Sequence, residues 1–421
     1  MSMNIVILYE HIVRELDAVT RLGKIIKKRG HNCVCFSGDF EVTRAYHYAK
    51  KNKVDVILMP WFVDDEHYDL IMPIIKTNPN IKIINLHHEQ ISSEVYEEVL
   101  FPHSELTENN SYHFAWGDYF KKQLISRGTP ESRIFVTGNI RNDKAFVNSV
   151  TRKQLAEKYG LNQNKKWILY AENRGFASMR MNESLKIALR NRGLTDEEIL
   201  ESMNNSRDGL NSFFEILRSL PVEFLKKYEF IYRPHPGTQI EETFPEGVHL
   251  ICELPIYDWI LNSDLFVTCE STSIFEAEVC GIPCVTYNNL PASKKFQMAG
   301  VDKYPKLEKL TDINDELIER IKKEQSEKHI YQEYLGIVDG HAADRAADAI
   351  ELISSQDSVI NNYGHTLSKK VLIRRYLYEF LTWVSVKTGL LNKIKFPRSS
   401  YWSSRDIPYT KQNEEIYFKK Y

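Results

Sequence analysis

Short apolar runs alternate with amphipathic stretches from the first residues onward. Residues 4–9, 32–36, 54–59, 81–86, 112–116 and 133–137 are rich in apolar and aromatic side chains, and each is short enough for a strand. Between the first two, Leu16, Val19, Leu22, Ile25 and Ile26 recur at helical spacing, which predicts a helix over 14–29 with one apolar face. Runs such as Val54-Asp-Val-Ile-Leu-Met59 do not alternate strictly, as expected of strands covered on both faces. Strands of that kind pair in parallel and need helical crossovers. Residues 1–150 therefore read as a doubly wound α/β domain.

Past Asp143 the pattern gives way to a polar, Lys-rich stretch, and a new series starts at Trp167-Ile-Leu-Tyr-Ala171, placing a boundary near 147–165. Strands are expected at 228–232, 248–252, 265–269 and 283–287, with helices at 208–219, 255–262 and 271–280. Residues 165–355 form a second α/β domain in this reading. The polar segment 176–209, with Arg180, Asn182, Glu183, Arg190, Arg192 and Asp208, is too long for a plain connection and is expected as a helical insertion or an active-site flap.

The tail, 360–421, has another character. Within 367–400, Lys369, Lys370, Arg374, Arg375, Lys387, Lys393, Lys395 and Arg398 face a single acid, Glu379. Between them Ile373, Leu377, Phe380, Leu381, Val384 and Leu391 recur at three- to four-residue steps, with Tyr376, Tyr378 and Trp383 nearby. An amphipathic helix follows, which either lies on the anionic inner membrane or packs back across the two domains.

Composition narrows the class. The chain has 421 residues, 43% of them hydrophobic, too many for one ordinary core. Lys plus Arg number 55 against 57 Asp plus Glu, so no global field favours nucleic acid. Cys33, Cys35, Cys252, Cys269, Cys280 and Cys284 lack the spacing of a zinc site or a disulfide scaffold and read as small hydrophobes in a reducing compartment. The start, Met1-Ser-Met-Asn-Ile-Val-Ile-Leu-Tyr9, reads as a first strand rather than a secretory signal, so the expected location is the cytoplasm. Neither a dinucleotide-binding glycine fingerprint nor a P-loop is present, which weakens oxidoreductase and NTPase readings.

Open parallel sheets bind ligands beyond the carboxyl ends of their strands, so two such domains make the cleft between them the expected site. Tyr232-Arg-Pro-His-Pro-Gly-Thr238 begins where a strand ends and presents Arg233 and His235 on a turn stiffened by Pro234 and Pro236, a cationic corner suited to phosphate. A plain rigid turn is the alternative. Leu265-Phe-Val-Thr-Cys-Glu-Ser-Thr-Ser273 is a strand running into hydroxyl residues, so Ser271, Thr272 and Ser273 can meet an anion at the start of the following helix or simply cap it. Glu172 and Arg174 end another strand near the expected nucleotide. Tyr257 starts a helix beside the His-Pro loop, where its backbone can read a base edge. Glu10 ends the first strand and faces the same cleft.

A His-Pro motif, then Asp264 and, about 35 residues after the histidine, Ser271-Thr-Ser273, with Glu276-Ala and Gly281-Ile-Pro283 beyond, resembles the donor domain of GT-B glycosyltransferases of bacterial capsule and lipopolysaccharide. The His-Pro and Ser-Ser/Thr pair is similar to that of transferases using CMP-activated sialic acid or Kdo, and of CDP-glycerol transferases. Tyr9-Glu-His-Ile-Val-Arg-Glu-Leu-Asp17, Arg29-Gly-His31 and Asp339-Gly-His-Ala-Ala-Asp-Arg345 look like segments of surface-carbohydrate biosynthesis proteins. The resemblance implies a GT-B fold of two facing Rossmann-like domains and an inverting transfer from a nucleotide-sugar to a lipid-linked or oligosaccharide acceptor. It also implies that His235, Ser271, Thr272 and Ser273 hold the donor phosphate. Those enzymes carry an acidic pair before Gly after an N-domain strand. Here the place reads His87-His-Glu-Gln90, which makes Glu89 the expected base and His88 the second choice, with Glu10 behind them. No metal and no cofactor are expected, the nucleotide-sugar being a co-substrate. Three other readings stay open: a UDP-N-acetylglucosamine 2-epimerase, whose donor loop typically reads Ser-Gly-Gly; a CDP-glycerol-type transferase; and a non-catalytic scaffold of polysaccharide assembly.

Overall fold

The computed structural model describes residues 2–147, 150–174, 183–191, 193–235, 240, 242–290, 294–356, 369–390 and 406–418. Among these residues eleven strands form two parallel sheets. The first holds β1 (Asn4–Tyr9), β2 (Asn32–Ser37), β3 (Val56–Met59), β4 (Lys82–Asn85), β5 (Ser111–Ala115) and β6 (Ile134–Val136) in the order β2-β1-β3-β4-β5-β6. The second holds β7 (Lys166–Ala171), β8 (Tyr228–Arg233), β9 (Val248–Leu250), β10 (Leu265–Thr268) and β11 (Cys284–Thr286) in the order β11-β10-β7-β8-β9. Both are doubly wound, and every strand predicted from the apolar runs is present within a residue or two. The central strands, including all of β3 and β10, are buried along their full length, which is why their sequences show no alternation.

Strand order reverses direction between β1 and β3 in the first sheet and between β7 and β10 in the second. Crevices open at such points, beyond the carboxyl ends of the flanking strands. Those ends carry Glu10 and Trp61 on one side and Glu172 and Cys269–Ser273 on the other. The fold thus aims four loops at one cleft before any side chain is considered.

The polar insertion is helical where it is described. Glu183–Asn191 is followed by Asp196–Arg218, in which Thr195 and Glu198 form a capping box. That cap extends the helix expected at 208–219 by three turns towards its N-terminus, and Arg180 and Asn182 lie outside the described residues.

Chain order and packing part company near the C-terminus. The helix Ala342–Ser354 follows the second sheet in sequence but packs its alanine face on the helix Asp17–Lys28, in the core of the first domain. The small side chains allow that close approach. Asp143 fastens the return by accepting from the backbone N–H groups of Ala342 (2.9 Å) and Ala343 (2.8 Å). The crossing itself is tight: a Cβ on Gly336, at φ 65°, would stand 2.7 Å from the Cα of Gly117, so both positions require glycine. Among the described residues no helix is long and apolar enough to cross a membrane.

Candidate active site

A cavity of about 600 Å³ lies between the two sheets, within the range of nucleotide-sized sites. Glu10, His11, Arg14, Glu89, Arg141 and Lys144 line its first-domain wall; Glu172, Arg174, Arg233, His235, Tyr257 and Glu270–Ser273 line the other.

The first wall is built on a rigid loop. After β4 the chain turns through His87, a buried non-glycine residue at φ 46°. Such a conformation persists only where its surroundings impose it. Here Asn85 Oδ1 accepts from the His87 N–H (3.0 Å), and His87 Nε2 meets His113 Nδ1 at 2.9 Å. Gln90 closes the bracket, donating to Phe114 O (2.8 Å) and accepting from Trp116 N–H (2.7 Å). Gln90 therefore ties the loop to β5. Between these anchors Glu89 projects into the cavity, accepting from Arg14 (2.8 Å) and lying 3.6 Å from Arg141.

His88 is not brought to that wall. It is 2% exposed, with Nε2 3.6 Å from Glu15 Oε2, and burial together with the nearby Arg141 and Arg14 pushes its pKa down to about 3. The ring does not line the cavity, whereas Glu89 beside it does.

Glu10 does reach it. The Trp61 indole donates to Glu10 Oε2 (2.8 Å), joining the ends of β1 and β3, and His11 stands 3.5 Å away. His11 also approaches Asp406 of the C-terminal segment at 3.4 Å. Burial opposes its charge, but Asp406 and Glu10 outweigh that and raise its pKa to about 9. The helix that follows opens with a wide π-type turn over Ile12–Leu16, which carries Arg14 into the cleft.

On the second wall the expected cationic corner takes a different form. Arg233 is 7% exposed and donates to the carbonyls of Glu253 and Leu254 (2.8 Å each). It pins a strained turn, since Leu254 sits at φ 67°. His235 lines the cavity, yet burial, with Arg14 and His11 adding to it, pushes its pKa down to about 3. Its imidazole is neutral at pH 7 and offers a hydrogen bond rather than a charge. Pro236 lies outside the described residues.

Arg174 is likewise engaged. Its guanidinium donates to Glu172 (2.9 Å) and Asn289 (2.5 Å), while Glu172 also accepts from the N–H groups of Asn173 and Arg174 (2.9 Å each). This buried pair braces the loop after β7. Ser271 and Ser273 share a hydrogen bond of 2.7 Å between their hydroxyls, and the Ser273 N–H donates to Ser271 Oγ (3.2 Å). Thr272 precedes the helix Ser273–Val279 and makes no side-chain cap, so its hydroxyl is not used to close that helix. Tyr257 donates to Asn142 Oδ1 (2.7 Å), a bond between domains.

Sequence reasoning missed several wall residues. Arg141 reaches Glu276 at 3.5 Å across the cleft and stacks over Trp116. Lys144 meets Asp258 at 3.2 Å. Asn142, Arg141 and Lys144 belong to Gly138-Asn-Ile-Arg-Asn-Asp-Lys144, a polar run just before the domain boundary, and its position was the available signal. Glu270, accepting from Asn288 (3.0 Å), has its pKa raised to about 7 by burial.

No protein-family model matches the chain, and no curated protein matches it significantly in sequence. Solved structures do share its fold. The wall teichoic acid polymerase TagF aligns over 83% of this chain and 89% of its own, with a TM-score of 0.54 and 12% identity. A single-residue variant of TagF gives 0.55 over 84% of this chain and 89% of its own, also at 12% identity. UDP-GlcNAc 2-epimerase from Neisseria meningitidis, bound to UDP-GlcNAc, aligns over 84% of this chain and 100% of its own, with a TM-score of 0.50 and 15% identity. The architecture is therefore the twin-Rossmann GT-B type.

Proposed function

We propose that the protein is a glycosyltransferase that moves a sugar from a cytidine-nucleotide donor, first of all a CMP-activated nonulosonate or Kdo-like sugar, to a cell-surface glycan acceptor. One observation carries the reading: within a single cavity, a neutral imidazole and three hydroxyls from the second domain share the space with two carboxylates from the first. His235, Ser271, Thr272 and Ser273 face the space where a phosphate would sit, opposite Glu89 and Glu10.

In this mechanism an acceptor hydroxyl oxygen attacks the anomeric carbon, and its proton passes to Glu89, with Glu10 as the alternative acceptor. The bond from the anomeric carbon to the phosphate oxygen breaks, and the electron pair leaves with the nucleotide. Attack from the face opposite the leaving group inverts the centre. His235 and one hydroxyl of the Ser271–Ser273 pair donate to the departing phosphate oxygens, whose charge grows in the transition state. Arg233 and Glu172–Arg174 position the loops that present these groups.

A CDP-glycerol-type transferase is the second reading, supported by the fold shared with TagF. The epimerase reading is weaker because the donor loop reads Ser271-Thr-Ser273. A thermal-shift panel of CMP, CDP, UDP and GDP tests the proposal. At a hundredfold excess over Kd a ligand stabilises the folded state by about 2.7 kcal/mol, several degrees in the midpoint. Cytidine nucleotides should produce that shift. No response to any of the four would refute the donor assignment.

A further inference from the structure

The helix Lys369–Lys387 is inverted relative to an ordinary surface helix. Its buried positions are polar: Glu379, Thr382 and Ser385. Arg375 donates to the carbonyls of Gly38 and Asp39, and to Glu379 at 3.0 Å. Glu379 in turn accepts from the Thr43 N–H (3.0 Å) in the first turn of the helix Val42–Lys51, and Tyr378 stacks on Phe40. These directed contacts fix which side faces the protein.

The opposite side carries Ile373, Tyr376, Leu377, Phe380, Leu381 and Trp383, which are 48–58% exposed. Tyr376, Phe380 and Trp383 form a ladder with ring centroids 6.4 Å apart. A contiguous apolar stripe of this kind, on a helix whose polar face is already satisfied, marks an interaction surface. Amphipathic periodicity in the sequence shows that two faces exist but not which one meets the protein.

We propose that this stripe seats the protein on an anionic lipid surface. The charge around it argues for that occupant. Eight basic residues and one acid lie in 367–400, and the acid, Glu379, is turned inward and paired with Arg375, so the stretch keeps a strong positive excess, with Arg374 exposed and Lys387 exposed 3.9 Å from Glu414. Aromatic rings with basic neighbours are the composition of a membrane-interface helix. A second copy is a poorer occupant. Pairing two such helices brings together two segments of the same positive excess.

The anchoring contacts also say where the membrane would lie. Gly38 and Asp39 follow β2, beside the end of β1 that carries Glu10, so the seat borders the acceptor side of the cleft. Resting on the transferase reading, this implies an acceptor carried on a membrane lipid.

Vesicle co-sedimentation of the full chain tests the seat without any donor or acceptor, so its failure is separate from failure of the enzyme reading. The protein should pellet with vesicles containing phosphatidylglycerol and about tenfold less with phosphatidylcholine alone, and the binding should fall as salt rises. Phe380→Glu/Trp383→Glu, at half-exposed positions, should keep the wild-type melting midpoint and lose about tenfold in bound fraction, whereas Phe380→Leu/Trp383→Leu retains most of it. Equal pelleting of the wild type and the Glu variant would overturn the proposal, as would no pelleting at low salt. So would a wild-type dimer by light scattering that becomes monomeric in the Glu variant and binds no vesicles.

Discussion

Replacing Glu172 by Ala should unfold the second domain more readily rather than simply weaken a ligand contact. Glu172 and Arg174 are 5% and 8% exposed, and the carboxylate accepts from two backbone N–H groups as well as from the guanidinium. Removing it leaves a buried cation facing the space the carboxylate filled. Breaking such a pair costs about 3–5 kcal/mol, and the cavity beside Arg174, which admits water, places the expected loss near the lower end, about 3 kcal/mol. For a domain of this size that lowers the melting midpoint by about 6–12 °C. The guanidinium lies over Phe213, 5.7 Å from its ring centroid, so Arg174→Met keeps the apolar contact and discards the charge. Urea unfolding of Glu172→Ala, Arg174→Met and the double variant closes a cycle in which the double variant should recover about 2 kcal/mol relative to the sum of the singles. A loss below about 1 kcal/mol in Glu172→Ala, with no coupling, would refute the structural assignment of this pair.

Two further outcomes follow from the first-domain wall. His11 has its pKa raised to about 9, so its stabilising contribution is fully present below about pH 6.5 and disappears as pH rises through 9. Asp406→Asn removes much of that effect, and its melting deficit against wild type should be largest near pH 6 and vanish above pH 9; a pH-independent deficit contradicts the pairing. Gln90→Ala leaves buried Phe114 O and Trp116 N–H without partners and should cost about 2–3 kcal/mol. In urea unfolding that loss should appear together with a turnover reduced more than nucleotide affinity, because the Glu89 loop is loosened while the second wall is untouched.

The parts of this account that were legible in the sequence are those encoded locally. Buried parallel strands are short apolar runs, so β1 to β11 were found nearly to the residue, and strand ends then named the loops after β1, β4, β7, β8 and β10. Partnership was not legible. Arg233 reads as a phosphate contact and Arg174 as a residue near the nucleotide, because nothing in a linear sequence shows that one turns to the carbonyls of Glu253 and Leu254 and the other to Glu172 two positions away. His235 loses its charge through enclosure, a property of both domains together. Arg141–Glu276, Tyr257–Asn142 and His11–Asp406 join residues 115 or more positions apart. The helix Ala342–Ser354 was assigned by chain order, and only its alanine-rich face hints at the close packing that carries it back to the first domain.

The central claim is that the second wall holds a departing nucleotide phosphate through a neutral His235. Nucleotide release from a CMP-activated sugar in the presence of a glycan acceptor, measured for wild type and His235→Ala, tests it most directly. The account predicts that His235→Ala keeps its melting midpoint and acceptor KM while turnover falls about 100-fold, the loss typical of one donor to transition-state charge. Wild-type turnover in His235→Ala would contradict it.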